Sequence, residues 1–326
     1  MDRGDHGGSD HEELRRLYDR DPAAFLERTK VDPAGRLLLL RLGAAVTEKR
    51  LELALELAAR CLRELPERTE SHLWTALLYQ RLEHPLAAQQ AIERAEALAR
   101  TLDERHWVRQ TRGAVLRSMG HAEEAADVFR ALLAEPDLSL PRRVRVLINA
   151  ASTLWPLGHV TEADRCLDEA EAIAEWPVRE DLRAWLCAIR AWVAVARDAP
   201  CDALRAVDAS LAALGGEALA AHRSARRARA RALRLRGDVE AAEAELNALV
   251  ADARDHAWHG ELRVALEDLA ELRRATADVA GELDVQRELV ALSRAALVDA
   301  RESLAKVERA RIDAAVREAE ARAGRA

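Results

Sequence analysis

Pairs of small residues recur along the chain with one internal spacing, and this pattern limits the possible folds more than any other feature. The members of each pair are twelve residues apart: Ala76 and Ala88, Gly113 and Ala125, Ala151 and Ala163, Ala191 and Ala203, and Ala230 and Ala242. From Ala54 upstream, the second members follow one another at steps of 34, 37, 38, 40 and 39 residues. Such a period is typical of stacked helical hairpins. Because small side chains let two helix backbones approach closely, each pair predicts a hairpin crossing.

Larger apolar residues and turn residues stand at fixed offsets from these pairs. Leu116 follows Gly113 by three residues, and Phe129 follows Ala125 by four. Tyr79 and Ile92 stand at the same offsets from Ala76 and Ala88, and so do Leu233 and Leu246 from Ala230 and Ala242. Residues that can end a helix fall between the members of the pairs, at Gly120, Gly158, Pro200 and Gly237. The offsets predict two helices joined by a short turn in each unit.

The composition favours an all-α protein. Hydrophobic residues make up 49% of the chain but aromatic residues only 3%, so the apolar content is mostly Ala and Leu, which are strong helix formers. Few segments show the β-branched alternation expected of a strand.

The unit built on Gly113, Leu116, Ala125, Phe129 and Pro136 resembles the tetratricopeptide repeat. The resemblance covers residues 36–296, and implies a right-handed superhelical solenoid of about seven hairpins, with capping helices in residues 1–35. The period is longer than the roughly 34 residues typical of the family, as in long-helix arrays of bacterial regulators. The last unit has Glu282 and Gln286 where Ala and Phe are expected.

Residues 282–323 contain no Pro or Gly, which predicts one long C-terminal helix. Leu283, Val290, Leu297 and Leu304 recur every seven residues. Two interpretations stay open for residues 297–326: a coiled coil that forms a homodimer, or a solvated capping helix.

In tetratricopeptide arrays the first helix of each hairpin lines a concave groove, at positions three before, one after and four after its small residue. Carried over to this chain, that register predicts a binding site for a protein or peptide with acidic and apolar side chains. The predicted site residues are Gln110, Arg117, Trp155, Trp192, Arg227, Arg231 and Arg234. Trp and Arg are enriched at binding hot spots. The competing interpretations are that Trp155 and Trp192 fill the core, and that a ridge of Arg223, Arg227, Arg231 and Arg234 is a solvated helix face.

The formal charge of -7 disfavours nucleic acid as a general partner, because such binding needs a net basic face. The four cysteines, Cys61, Cys166, Cys187 and Cys201, form no CxxC pair, which fits a reducing compartment. The N-terminus lacks the apolar core of a signal peptide, and no stretch is long enough to span a membrane. We therefore expect a cytoplasmic protein.

No catalytic motif is present: the chain has no phosphate-binding loop, no GxSxG and no HExxH. Asp255, His256 and His259 could hold a transition metal if Glu261 turned inward, but a polar helix junction is the preferred interpretation. The sequence predicts no enzyme activity, no metal and no cofactor.

The leading functional prediction is a regulatory scaffold that binds a partner in its groove. The alternative is the sensor or dimerisation portion of a signalling protein related to tetratricopeptide-repeat diguanylate cyclases, with the catalytic domain absent after Ala326. An RNA or DNA contact through the arginines is a third, less favoured hypothesis.

Overall fold

The computed structural model describes residues 13–14, 17–18, 22–30, 37–47, 50–82, 84–173, 180–213, 220–255 and 259–295. Within these ranges every regular element is an α-helix and no strand occurs. The chain divides into two compact units, Met1–Ala232 and Leu233–Ala326. The prediction of an all-α fold built from helical hairpins is confirmed.

Unit 1 is an array of antiparallel hairpins. Among its described residues, five consecutive pairs, α2/α3 to α10/α11, are each joined by a short connection and pack against each other. The helices are α1 (Pro22–Arg28), α2 (Leu38–Thr47), α3 (Leu51–Glu64), α4 (Thr69–Arg81), α5 (Pro85–Leu98), α6 (Leu102–Ser118), α7 (Ala122–Leu133), α8 (Leu140–Leu154), α9 (Val160–Ala172), α10 (Glu180–Ala196), α11 (Pro200–Ala212) and α12 (Ala220–Leu235), whose last residues belong to unit 2.

Unit 2 contains α13 (Val239–Asp255), α14 (His259–Ala275) and a further helical stretch, residues 279–295. α13 packs against α14. Arg254 Nη2 of α13 also lies 2.7 Å from Glu288 Oε2 of the 279–295 helix. The three helices of this unit are therefore held by both apolar packing and ion pairs.

The small-residue pairs lie where the helices of each hairpin meet. In unit 1 the alanines of all four predicted pairs, from Ala76 to Ala203, are 0% exposed. At Gly113 a Cβ would lie 2.7 Å from Cε1 and Cζ of the Phe129 ring, which is closer than real contacts allow. The phenylalanine of α7 therefore fills the space that the glycine of α6 leaves, as the offsets predicted.

In the described part of the chain, five turns between helices have a left-handed residue at one offset, five positions before the second small position. Gly120, Gly158 and Gly237 have φ angles of 86°, 84° and 90°. Asp198 and Ala277 occupy the same offset with φ angles of 56° and 59°. Glycine is preferred there because side chains with a Cβ rarely adopt this conformation.

Several sequence predictions concern residues outside the described ranges. Of the capping helices predicted in residues 1–35, only residues 13–14, 17–18 and 22–30 are described, and α1 begins at Pro22. Residues 297–326, and with them the heptad positions Leu297 and Leu304, also lie outside. The domain boundaries stay predictions.

Candidate functional site

The first helices of successive hairpins contact one another in unit 1: α4 with α6, α6 with α8, and α8 with α10. We refer to the predicted groove positions of these helices and of α12 in unit 1 as the first-helix surface. It consists of Leu73, Leu77, Gln80, Gln110, Ala114, Arg117, Ile148, Ser152, Trp155, Ala188, Trp192, Val195, Arg227 and Arg231. The position three before the small residue is buried in α4, α8 and α10, and half-buried in α6 and α12. The position four after it is half-buried in α4, α6, α8 and α10. The half-buried side chains are therefore the ones that a ligand could reach.

A repeated contact links the first helices. The side chain four positions after the small residue contacts the residue one position after the small residue in the next repeat. The three instances are Gln80 Nε2 donating to the Ala114 carbonyl at 3.0 Å, Arg117 Nη1 donating to Ser152 Oγ, and Trp155 stacked on Trp192 with ring centroids 5.1 Å apart and planes 7° from parallel. These contacts fix the surface before any ligand binds.

Trp192 is a buried member of the first-helix surface. Its side chain is 6% exposed and packs in a core cluster with Ala188, Val207 and other small residues. Its indole Nε1 donates to Ser224 Oγ at 3.1 Å, and the Arg227 guanidinium carbon lies 5.3 Å from its ring centroid. The ring is thus part of the core and also supports Trp155 and Arg227. Ser224 is not one of the predicted site residues, because it lies six positions before the small residue Ala230.

Arg117 is held in an unusual environment for a guanidinium. Its side chain is half-buried, and burial lowers its pKa to about 10, so that it stays protonated at neutral pH. Ser152 accepts from Arg117 and donates its own hydroxyl proton to the Asn149 carbonyl at 2.9 Å. Among the described residues no carboxylate oxygen lies within 4 Å of Arg117. Within this part of the chain its guanidinium therefore has a neutral hydroxyl as its hydrogen-bond acceptor.

Gln110 is already engaged within the protein. Its side-chain oxygen accepts from Arg142 Nη1 at 3.3 Å. Arg142 also makes two hydrogen bonds to Asp103, at 2.9 and 2.7 Å, and its guanidinium carbon lies 5.7 Å from the Trp107 ring centroid. The repeat register does not predict this cluster, because Trp107, Asp103 and Arg142 lie outside the three groove positions.

The arginine ridge is not a uniformly solvated face. Arg223 is only 5% exposed, which corrects its assignment to an exposed ridge. Arg227 and Arg231 are half-buried. In unit 2, Arg234 Nη2 lies 3.2 Å from Glu271 Oε1. On the same helix Ala221, Ala225, Ala228 and Ala232 are buried, whereas Leu235 is exposed.

The described residues contain no group of three or more His, Cys, Asp or Glu that could hold a metal ion. His256 and the side chain of His259, which the sequence analysis considered as ligands, lie outside them. All four cysteines are free. Burial raises the pKa of Cys61 and of Cys166 to about 11, so these thiols stay protonated at neutral pH. Among the helices described, none combines the length and the apolar character that a membrane crossing requires.

The comparison with protein families decides the assignment of the repeats. Residues 106–233 match the family model described as tetratrico peptide repeat. This segment carries tetratricopeptide repeats. It contains Gly113 and Phe129, and also Arg117, Trp155 and Trp192, so most of the first-helix surface lies within the matched repeats. The family-level resemblance seen in the sequence is confirmed.

Solved structures of similar fold are also found. A Rap protein complexed with competence and sporulation factor has a TM-score of 0.59 at 12% identity, covering 82% of this chain and 79% of that chain. The Cut9–Hcn1 hetero-tetramer of the APC/C has a TM-score of 0.58 at 14% identity, covering 87% and 54%. A tetratricopeptide repeat protein from Parabacteroides merdae has a TM-score of 0.49 at 16% identity, covering 69% and 80%. At these identities the likeness concerns the fold. No curated protein matches the sequence.

Proposed function

We propose that this protein is a non-catalytic regulatory scaffold that binds a protein or peptide segment on the first-helix surface of unit 1. The stack of Trp155, Trp192 and Arg227 carries the proposal. Trp155 is half-buried, and its ring is held parallel to that of Trp192. A large aromatic side chain that is already ordered loses little conformational entropy when a ligand packs on it.

The roles within this surface follow from exposure. Trp155 offers apolar area to the ligand, whereas Trp192 and Arg227 hold it in place. Arg117 lies one repeat earlier and supplies positive charge. Gln110 and Arg231 stay predicted contacts, although Gln110 already has a protein partner. Arg234 belongs to unit 2, where it is paired with Glu271, and its predicted role in binding stays a separate prediction. A ligand with both apolar and acidic side chains would fit this combination.

Two further considerations support a binding role. Tetratricopeptide repeats are typical of protein–protein interaction scaffolds. The Rap protein of similar fold is complexed with competence and sporulation factor, so a fold of this kind can hold a bound factor. The alternative, a sensor portion related to tetratricopeptide-repeat diguanylate cyclases, stays a prediction, as do a bacterial source and a cytoplasmic location.

The test is a binding screen of short fluorescently labelled peptides that carry acidic and apolar residues. Trp155→Ala should weaken the best peptide by at least ~10-fold, because it removes the exposed aromatic area. Trp155→Phe should retain part of the affinity. Leu86→Ala is the control, since Leu86 is an exposed leucine on the second helix α5 and lies outside the first-helix surface. Equal affinity of Trp155→Ala and the wild type, with unchanged circular dichroism, would refute the proposed surface.

We also propose a homodimer through the C-terminal helix. Leu283 and Val290 are seven residues apart on the 279–295 helix and are 50% and 48% exposed, which supports a seam on this face. Replacing both by Glu should halve the mass measured by light scattering, and so should removing residues 298–326. A mass that both variants leave unchanged refutes the seam.

A further inference from the structure

We infer that residues 297–326 of a second copy of this chain dock in a groove on unit 2, with the two copies antiparallel. The inference rests on the homodimer proposed above, and it names the surface and the segment that hold the two copies together. It follows from an open groove beside Val290, from the way an earlier hairpin fills the equivalent place, and from the charges in the C-terminal sequence.

The groove lies between α14 and the helix of residues 279–295 and has a volume of about 840 Å³. Its apolar lining comes from Ala270, Leu289 and Val290. Leu289 is half-buried and Val290 is 48% exposed, so both can still lose contact with water when another helix packs on them. An apolar surface with charged borders is the kind that binds one face of an amphipathic helix.

In unit 1 the equivalent place is filled by the first helix of the next hairpin. Asp164 and Glu171 stand one and eight residues after the second small residue of α9, and Arg190 of α10 is ion-paired with them at 3.3 and 3.1 Å. The same two offsets on the last described helix give Leu283 and Val290, which are 50% and 48% exposed. No described hairpin follows this helix. The groove therefore has both the position and the exposed apolar residues of a surface that takes a helix.

The C-terminal sequence carries an apolar stripe of the matching kind. Ile312, Val316 and Ala319 are spaced by four and three residues, which places them on one face of a helix. Charges of both signs stand beside this stripe, at Arg311, Asp313, Arg317 and Glu318. The α14 side of the groove is bordered in the same way, by Arg263, Glu267, Glu271 and Arg274. The segment and the groove thus combine apolar contact with charges that can pair across the contact.

The segment is expected to reach the groove of another copy and not its own. The described helix runs without a break to residue 295, and residues 282–323 contain no Pro or Gly, so the sequence favours a helix that continues past unit 2. α14 has 17 residues and is about 25 Å long, whereas residues 279–323 would span about 65–70 Å as a helix. The part that extends beyond its own groove is available to a second copy.

The charges decide the orientation of the two helices. The seven-residue repeat that begins at Leu283 continues, after four apolar members, with Arg311 and Glu318. In a parallel pair related by a two-fold axis each residue faces its own copy, which would bring Arg311 against Arg311 and Glu318 against Glu318. An antiparallel pair separates these like charges. It also places residues 297–326 of each copy beside residues 279–295 of the other, so that each copy fills the groove of the other.

The first experiment maps the contact by cross-linking in the full chain. Ser293, which is exposed and lines the groove, is replaced by the photo-cross-linking residue benzoylphenylalanine. Irradiation should give a dimer-sized product whose cross-linked peptide belongs to residues 297–326. Ala291 is the matched control, because it is exposed on the same helix but is not among the residues that line the groove. The same replacement there should give much less cross-linked dimer, because side chains two residues apart point to different sides of a helix.

Three other results of this experiment would overturn the inference. A monomer-sized product cross-linked to residues 297–326 would show that the segment fills the groove of its own chain. A dimer-sized product cross-linked to another part of the chain would assign the groove to a different contact. A yield no higher than that of the Ala291 control would show that no segment docks there.

The second experiment measures the mass of two matched double variants by light scattering. Ile312→Glu with Val316→Glu places charges in the apolar stripe and should halve the mass. Ala310→Glu with Ala314→Glu adds the same charges on the opposite side of the helix and should leave the mass unchanged. Circular dichroism checks that both variants keep their helix content.

The outcomes of the second experiment separate this inference from the homodimer itself. A wild type with the mass of a monomer refutes the homodimer. A dimeric wild type whose mass falls with the Ala310 and Ala314 variant, but not with the Ile312 and Val316 variant, keeps the homodimer and refutes docking in the groove alone.

Discussion

The hairpin α6/α7 and the hairpin formed by α14 with the 279–295 helix occupy the same step of the repeat but are held together differently. In α6/α7 the crossing is apolar: the Phe129 ring lies against Gly113, and Ala125 is fully buried. In the last hairpin the first small position is Ala270, which is also buried, but the second is Glu282. The repeat register is thus maintained with different chemistry.

Ionic contacts surround the crossing of the last hairpin. Arg273 stands three residues after Ala270, where the earlier pairs have Leu, Tyr or Ala. Its Nη1 donates to the Gly281 carbonyl at 3.0 Å. Arg274 Nη2 lies 2.6 Å from Glu282 Oε1. The apolar hairpin lies inside the segment that matches the family model, residues 106–233, and the ionic one lies outside it.

The two hairpins should differ most in how strongly the free energy of unfolding depends on the residue four positions after the second small position. Phe129→Ala is expected to reduce the free energy of unfolding by about 3–5 kcal/mol, because it empties a fully buried ring site. Gln286→Ala, at the same step of the last hairpin, should change it by less than about 0.5 kcal/mol. Urea unfolding followed by circular dichroism measures both, and similar losses would contradict the comparison.

Substitutions at the first small position should cause the next largest loss in the free energy of unfolding. Gly113→Ala is expected to cost about 1–3 kcal/mol, because the added Cβ meets the Phe129 ring. The double variant Gly113→Ala with Phe129→Leu should recover part of the loss relative to Phe129→Leu alone. In the last hairpin, Ala270→Gly should cost only about 0.5–1 kcal/mol through helix propensity. A double-mutant cycle in urea unfolding without coupling would show that the two side chains do not interlock.

Substitutions at the left-handed residues of the two turns should change the stability of the protein in opposite directions. Gly120→Ala places a Cβ at a φ of 86° and is expected to cost about 1–2 kcal/mol. Ala277→Gly relieves the same conformation at a φ of 59° and should stabilise the protein by up to about 1 kcal/mol. Thermal unfolding of the two variants provides the measurement, and a loss of Tm for Ala277→Gly would contradict the expectation.

The smallest effect should come from the ion pairs. The Arg130 guanidinium holds the pKa of Glu162 below its ordinary value of 4.5. Because the folded-state pKa is depressed, this pair contributes stability above the ordinary pKa and loses it as the pH falls through the lowered value. Glu162→Gln should lower the free energy of unfolding by about 0.5–1 kcal/mol at neutral pH and by less in acid. Glu282→Gln should lower it by still less at neutral pH. Urea unfolding across pH 3 to 7 tests this, and a loss for Glu162→Gln that stays constant with pH would be inconsistent with it.

Much of the fold could be predicted because its determinants are local in sequence. The offsets from Gly113 to Phe129 fix which side chains meet across one hairpin, since both helices have a regular 3.6-residue period and a short turn joins them. The glycines at positions 120, 158 and 237 mark the left-handed turn for the same reason. Asp198 was not predicted in that role, because the neighbouring Pro200 gave the stronger signal although it begins α11.

The candidate site was less predictable because its contacts join different hairpins. The repeat register named Trp155, Trp192 and Arg227, but it left open whether the tryptophans line the surface or the core. The structure shows Trp192 buried beneath both neighbours and Trp155 half-buried. A rotation of one residue along a helix moves a side chain by about 100°, so sequence spacing alone does not resolve this difference.

The sequence by itself determined that the chain forms helices, where the hairpins cross and where they turn, because each of these depends on residues close together in the chain. Only the tertiary structure decided which arginines have a carboxylate partner. The sequence does not show which of Arg130 and Arg117 is paired, yet Glu162 reaches the first and only Ser152 contacts the second among the described residues. The partner of a charged side chain lies on another hairpin, 32 residues away for Arg130 and 35 for Arg117, and its distance is set by how the hairpins pack.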